Sequence, residues 1–251
     1  MVRCEAMKKS AAPAPAYRPL YEQVKIMLTQ SLVAGEWKPG EAIPSEMELA
    51  SRFQVSQGTV RKAIDELASE NIVIRRQGKG TFVASAREPS HQYRFLRLFP
   101  DLGPKVQPEN TFFGLERSRA VPEAARGLGL KPGAPVVTFK RLMTFAGRPM
   151  VLDEMVLEPN QFPGITLAEI EEYGGSVYSF YESVFGVRMI RAEERLRAVA
   201  ADSVAAAHLK VEPGTPLLCV DRIAFTYGDK PVEWRRGLCV TDGWSYRNEL
   251  N

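Results

Sequence analysis

Two sets of residues in this chain have types and spacings suited to chemistry. The first lies in PSEMELASRFQVSQGTVRKAIDEL, residues 44–67. Ser56, Gln57, Gly58 and Thr59 open a short helical pattern, and Arg61-Lys62 follow at once. Small residues at a helix start let the backbone approach a phosphate closely, and the N–H groups there favour an anion. Ser56 and Thr59 add hydroxyls that suit phosphate positioning. Arg61, one turn into that helix, is placed to reach guanine O6 and N7 from a major groove, worth about 1–3 kcal/mol of discrimination. The basic loop RRQGKG follows, with Lys79 between two glycines, Gly78 and Gly80. Taken singly, these are a helix cap, a solvated face and a soluble hairpin. Their order along the chain points to a nucleic-acid duplex.

The second set is spread over the C-terminal half. Alternation puts Arg141 in a row with Val137, Phe139, Met143 and Phe145, and Asp153 in a row with Val151, Met155 and Leu157. A charge in an apolar row needs an opposite charge or a polar pocket. Arg222 repeats Arg141 in a second copy of the same pattern, and Glu233 follows the second turn. Two readings stay open. Arg141 and Arg222 hold one carboxylate by charge-assisted bonds, or Arg141–Asp153 and Arg222–Glu233 are cross-strand ion pairs within two hairpins.

The elements that must position the first set are legible. Pro19 at a first helical position opens PLYEQVKIMLTQSLVAG, and Gly35 stops it. Ser45 and Glu48 form a capping box for a second helix. Ser56 caps a third, which carries Val60, Ile64 and Leu67 on its apolar face and ends at Asn71. Strands at Ile72–Ile74 and Thr81–Val83 flank the basic loop. Helix, helix, turn, helix and basic hairpin make a winged helix-turn-helix. ASAREPSHQ then reads as a linker.

For the second set, an internal repeat is the main signal. LGLKPGAPVVTFKRLMTFAGRPM (128–150) matches HLKVEPGTPLLCVDRIAFTYGDKPV (208–232). Each copy follows a short Ala-rich helix, PEAARGL or DSVAAAHL. A further helix, Val177–Phe185, and the strand pattern VRMIRAEERLRAVA lie between them. The sum is an α+β domain on an antiparallel sheet.

Composition narrows the function classes. A net charge of +3 over 251 residues permits a nucleic-acid partner without demanding one. Three cysteines without CxxC spacing (Cys4, Cys219 and Cys239) and two histidines (His91 and His208) argue against a zinc site and for a reducing, cytoplasmic setting. No apolar run reaches membrane-spanning length. The start, MVRCEAMKKSAAPAPA, lacks the apolar stretch of a signal peptide and reads as a disordered leader.

Residues 21–83, from YEQVKIML to GKGTFV, resemble the DNA-binding domain of GntR-type bacterial transcription regulators. LGLKPGAPVVTFKRL, MVLDEMVLEPNQFPG, GSVYSFYESVFGVRMIRAEERLRAVAAD and KVEPGTPLLCVDRIAF resemble the UTRA effector-binding domain of the HutC subfamily. The resemblance implies a leader at 1–16, a winged helix-turn-helix domain at 17–84, a linker at 85–92 and a UTRA domain of chorismate lyase-like fold at 93–247. It further implies a cytoplasmic homodimer without cofactor, a repressor of double-stranded operator DNA whose affinity a small-molecule effector modulates. DNA contacts fall on Ser45, Ser56, Gln57, Thr59, Arg61, Gln77, Gly78 and Lys79. Effector contacts fall on Arg141, Asp153, Ser176, Arg222 and Glu233. Two departures concern the operator: Met47 stands where many members have Arg, and Gln57-Gly58 where they have other polar readers. Two concern the effector: Met143 replaces a second Arg and Cys239 replaces a Tyr of phosphosugar binders. These favour an organic acid over a sugar phosphate. The alternative is an enzyme of chorismate lyase-like fold, for which no nucleophile elbow or metal cluster is seen.

Overall fold

The computed structural model describes residues 18–86, 96–104, 106–174 and 176–248. The expected leader and residues 87–92 of the expected linker lie outside the described residues.

The head is built from α1 (Leu20–Val33), α2 (Glu46–Phe53), α3 (Gln57–Ser69), β1 (Val73–Arg76) and β2 (Gly80–Val83). Pro19 caps α1 from outside rather than occupying its first turn. Ser45 accepts from the Glu48 N–H while the Glu48 carboxylate accepts from the Ser45 N–H, completing the capping box. Gln54, in the left-handed conformation, ends α2, and Ser56 caps α3 two residues later. Val24, Leu28, Leu49, Val60, Ile64 and Leu67 close the core between the three helices. Residues three and four apart on each helix share that inward face. The hairpin register pairs Arg76 with Gly80, so Arg75 and Arg76 are strand residues and only Gln77, Gly78 and Lys79 form the tip. Gly78 turns there at φ +69°, a conformation that suits glycine.

The larger domain is a six-stranded antiparallel sheet in the order β4-β5-β6-β9-β8-β7. Its strands are β4 (Glu109–Arg119), β5 (Pro135–Phe145), β6 (Arg148–Leu157), β7 (Arg191–Ala200), β8 (Pro216–Thr226) and β9 (Lys230–Cys239). The internal repeat becomes two halves, β4-α4-β5-β6 and β7-α7-β8-β9, with α4 (Pro122–Leu128) and α7 (Ser203–Leu209), meeting where β6 pairs with β9. α4 covers one sheet face over Val136, Val156 and Trp234. α5 (Leu167–Tyr173) and α6 (Val177–Phe185) cover the other over Val137, Phe139, Met155 and Leu157. β3 (Leu98–Pro100) and β10 (Trp244–Tyr246) form a small separate ribbon.

The two hairpins differ at the positions that carry charge. Arg141 faces Asp153 across β5 and β6, as one of the two readings expected. Arg222 does not face Glu233. Its partner across β8 and β9 is Arg235, and Glu233 lies opposite Ala224. The cause is geometric: both hairpins carry a one-residue register shift near the turn, but the second turn, Tyr227–Asp229, is longer, so the residue opposite Arg222 is Arg235 and not Glu233.

The two domains touch. Ile190 and Tyr227 pack against the head core. Arg188, 4% exposed, donates to the carbonyls of Asn71 (2.7 Å) and Ile72 (3.0 Å) at the exit of α3. Glu182, 5% exposed, pairs with Arg188 at 3.5 Å and accepts from Ser85 Oγ (2.5 Å) and the Ala86 N–H (3.0 and 3.1 Å). The first two residues of the expected linker are therefore held against the larger domain.

Candidate functional site

The face expected to meet nucleic acid is assembled by the turn between α2 and α3 and by the β1–β2 tip. Ser56 Oγ accepts from the Thr59 N–H at 3.2 Å, and the two hydroxyls lie 2.8 Å apart. Both mark the start of α3, whose first-turn N–H groups lack intrahelical acceptors. Gln57 and Arg61 project from the same turn and both reach Glu46, at 3.3 and 2.9 Å. Ser45, Gln57, Gly78 and Lys79 are exposed. All eight residues expected to contact DNA belong to these two segments or to the cap of α2. Arg75 also joins the face, through Glu46 at 3.2 Å and Asp65 at 2.7 Å. It was hidden in the sequence because RRQGKG read as loop throughout.

The second site is a pocket between the sheet, the N-terminus of α6 and the β3–β10 ribbon. Arg141, Asp153, Ser176 and Arg222 line it, together with Tyr178 and Arg235. Met143, Cys239 and Tyr246 add to its wall, and a further arginine, Arg97, lines it beside β3. Glu233, the fifth expected contact, lies beneath it and is fully buried. It accepts from Tyr178 (2.9 Å), Tyr181 (3.1 Å) and Arg235 (3.0 Å). Arg235 and Tyr178 were missed in the sequence. Counting two residues on from Glu233 along β9 finds the arginine.

Arg141, Arg222 and Arg235 are each paired with a carboxylate. Arg141 Nε donates to Asp153 at 3.0 Å, and Arg235 lies 3.6 Å from the same carboxylate. Arg222 pairs with Glu194 at 2.5 Å and donates to the Tyr178 hydroxyl at 3.5 Å. Burial by itself raises the Asp153 carboxyl, but Arg141 and then Arg235 hold it below the usual carboxylate range. Burial and the Glu233 charge push the Tyr181 phenol well up, which keeps it a donor. Burial likewise raises the Cys239 thiol, so it stays protonated and presents a weakly polar wall. Gly237 pairs with Asp153 across β6 and β9, and a Cβ there would meet Asp153 Oδ1 at 2.7 Å. The missing side chain is what makes room for the carboxylate. Ser176 caps α6 by accepting from the Ser179 N–H at 3.1 Å, so the helix starts at the pocket wall.

Comparison with known proteins agrees with this two-part layout. Residues 20–83 match the model for bacterial regulatory proteins of the gntR family, and residues 105–244 match the UTRA domain. The "Probable fructoselysine utilization operon transcriptional repressor" of Escherichia coli K12 is 30% identical over 233 residues, 92% of this chain and 94% of that protein. Among solved structures, the ligand-binding domain of a GntR-family regulator from Bordetella bronchiseptica is 47% identical, with a TM-score of 0.62. It covers 64% of this chain and 99% of its own. PhnF from Mycobacterium smegmatis is 25% identical with a TM-score of 0.51, covering 91% of this chain and 99% of its own. No helix among the described residues is long and apolar enough to cross a membrane. The chain belongs to the GntR family of bacterial transcription regulators, of the HutC type, and joins a DNA-binding winged helix-turn-helix head to a UTRA ligand-binding domain.

Proposed function

We propose that this protein is a cytoplasmic homodimeric repressor, reading operator DNA with α3 and the β1–β2 tip and releasing it when a carboxylate-bearing metabolite occupies the UTRA pocket. The observation that carries the reading is the placement of α6. Its cap, Ser176, stands at the pocket, while Glu182, six residues on and so about 9 Å further along the helix, grips Ser85 and Ala86 and pairs with Arg188. A ligand that shifts α6 acts at once on the chain leading to the head. Such a ligand need only favour one arrangement of the two heads over another to change operator affinity.

The pocket chemistry supports a single carboxylate. Arg141 and Arg222 offer charge-assisted donors, while Asp153, Glu194 and Glu233 offset three of the four arginines that line the pocket and leave Arg97 over. A single carboxylate matches that surplus, and a doubly charged phosphate exceeds it. Relatives are named for fructoselysine and mannosyl-D-glycerate systems, and both compounds carry a carboxylate. The carboxylates in and beneath the pocket are engaged with arginines, which suits holding a ligand rather than turning it over.

The test combines thermal-shift screening with gel shifts on the protein's own upstream region. Sugar acids and amino-acid conjugates are expected to raise the melting temperature and to weaken the shifted complex. Stabilisation by sugar phosphates alone overturns the ligand class. Absence of any shift at low salt overturns operator binding, and turnover of the stabilising compound replaces the repressor reading with an enzymatic one.

A further inference from the structure

A carboxylate stands in the middle of the DNA-reading face. Glu46 occupies the first position of α2, and its oxygens accept from Arg61 Nε (2.9 Å), Gln57 Nε2 (3.3 Å) and Arg75 Nη2 (3.2 Å). Arg75 in turn bonds Asp65 at 2.7 Å and the Arg61 carbonyl at 3.5 Å. The Glu46 side chain is 19% exposed, whereas that of Arg61 is 56% exposed. On a surface that must approach phosphates, a carboxylate works against binding, so its retention among three donors calls for a role.

We infer that Glu46 is a positioning residue that sets sequence discrimination by fixing Arg61 and Gln57 before DNA arrives. The bond to Nε orients the guanidinium plane and leaves its two terminal nitrogens outside this contact. That terminal pair matches guanine O6 and N7. Holding the long side chain in advance lowers the ordering cost of the base contact. The same negative charge weakens adhesion to arbitrary backbone, so Glu46 raises the ratio of specific to non-specific affinity from both sides. The inference rests on the proposed reading of DNA by α3.

The experiment uses the full chain, as parent, Glu46→Gln, Glu46→Asp and Arg61→Ala. Each is titrated against an operator duplex from its own upstream region and an unrelated duplex, over a series of salt concentrations, with melting followed in parallel. Glu46→Gln is expected to bind the unrelated duplex more tightly, with a steeper salt dependence, and to lose about tenfold or more in the operator-to-unrelated ratio. Glu46→Asp keeps the charge but shortens the reach. It is expected to lose discrimination while its non-specific affinity stays at the parent level, and it serves where Glu46→Gln does not fold. A merely structural tie between α2 and α3 lowers melting and both affinities together, which overturns the inference. A Glu46→Gln protein that keeps the parent ratio beside a weakened Arg61→Ala overturns the Glu46 role alone. An Arg61→Ala protein that keeps the ratio overturns the α3 reading and the Glu46 role with it.

Discussion

At Asp153 two opposing effects meet. Burial disfavours its charge, and the guanidinium groups of Arg141 and Arg235 favour it more strongly, so the folded chain holds it ionised below the usual carboxylate range. Its stabilising contribution is fully present above the unfolded value, near pH 4, and is lost as pH falls through the lower folded value. Asp153→Asn leaves two buried cations undercompensated and is expected to cost up to about 3–5 kcal/mol at neutral pH. The gap in melting temperature between this variant and the parent is expected to hold from about pH 5 to 8 and to narrow below about pH 4. A gap unchanged down to pH 2 contradicts this account. The residue scale was partly legible. Alternation found Arg141 and Asp153 on their shared buried face, because a two-residue period is visible in any strand. It missed the partner of Arg222, because pairing across strands depends on turn length, which no single strand records.

Among elements, the capped helices were the clearest in sequence. Ser45-Glu48 and Ser56-Thr59 are local signals, and α6 spans Val177–Phe185 in the structure as in the sequence reading. α5 had a signal too, the capping box of Thr166 and Glu169, but seven residues between turns give too little periodicity to stand out. The β3–β10 ribbon joins segments about 145 residues apart, as in Leu98 with Tyr246, and no local pattern announces such a pair. α6 carries the prediction at this scale. Arg188→Ala removes the donors to Asn71 and Ile72 and leaves the Glu182 carboxylate without its cation, at a cost of up to about 3–5 kcal/mol. Calorimetry is expected to resolve the parent's unfolding into separate head and UTRA transitions in the variant. Ligand is then expected to raise the UTRA transition while leaving operator affinity unchanged. A variant whose operator affinity still responds to ligand as the parent does shows that α6 and Arg188 are not the route between pocket and head.

For the molecule as a whole, the repeat in the sequence foretold a domain of two related halves, and the structure extends that repeat to β4 and β7 at the sheet edges. In the proposed dimer, two heads imply two half-sites on one face of the duplex. Inserting about 5 bp, half a helical turn, between the half-sites is expected to reduce affinity to that of a single half-site. Inserting about 10 bp restores their facing and is expected to recover part of the loss. Equal affinity for all three spacings contradicts a dimer with ordered heads. The seam between head and UTRA domain has a further property. On the head side, Arg188 is met by main-chain carbonyls, those of Asn71 and Ile72, and Glu182 is met in part by the main-chain N–H of Ala86. Main-chain groups are the same whatever the side chains, provided position 71 can hold its left-handed turn, which asparagine and glycine do readily. A foreign reading head grafted at this joint therefore meets the same clasp, and chimeras that trade operators while keeping their inducer become a practical construction.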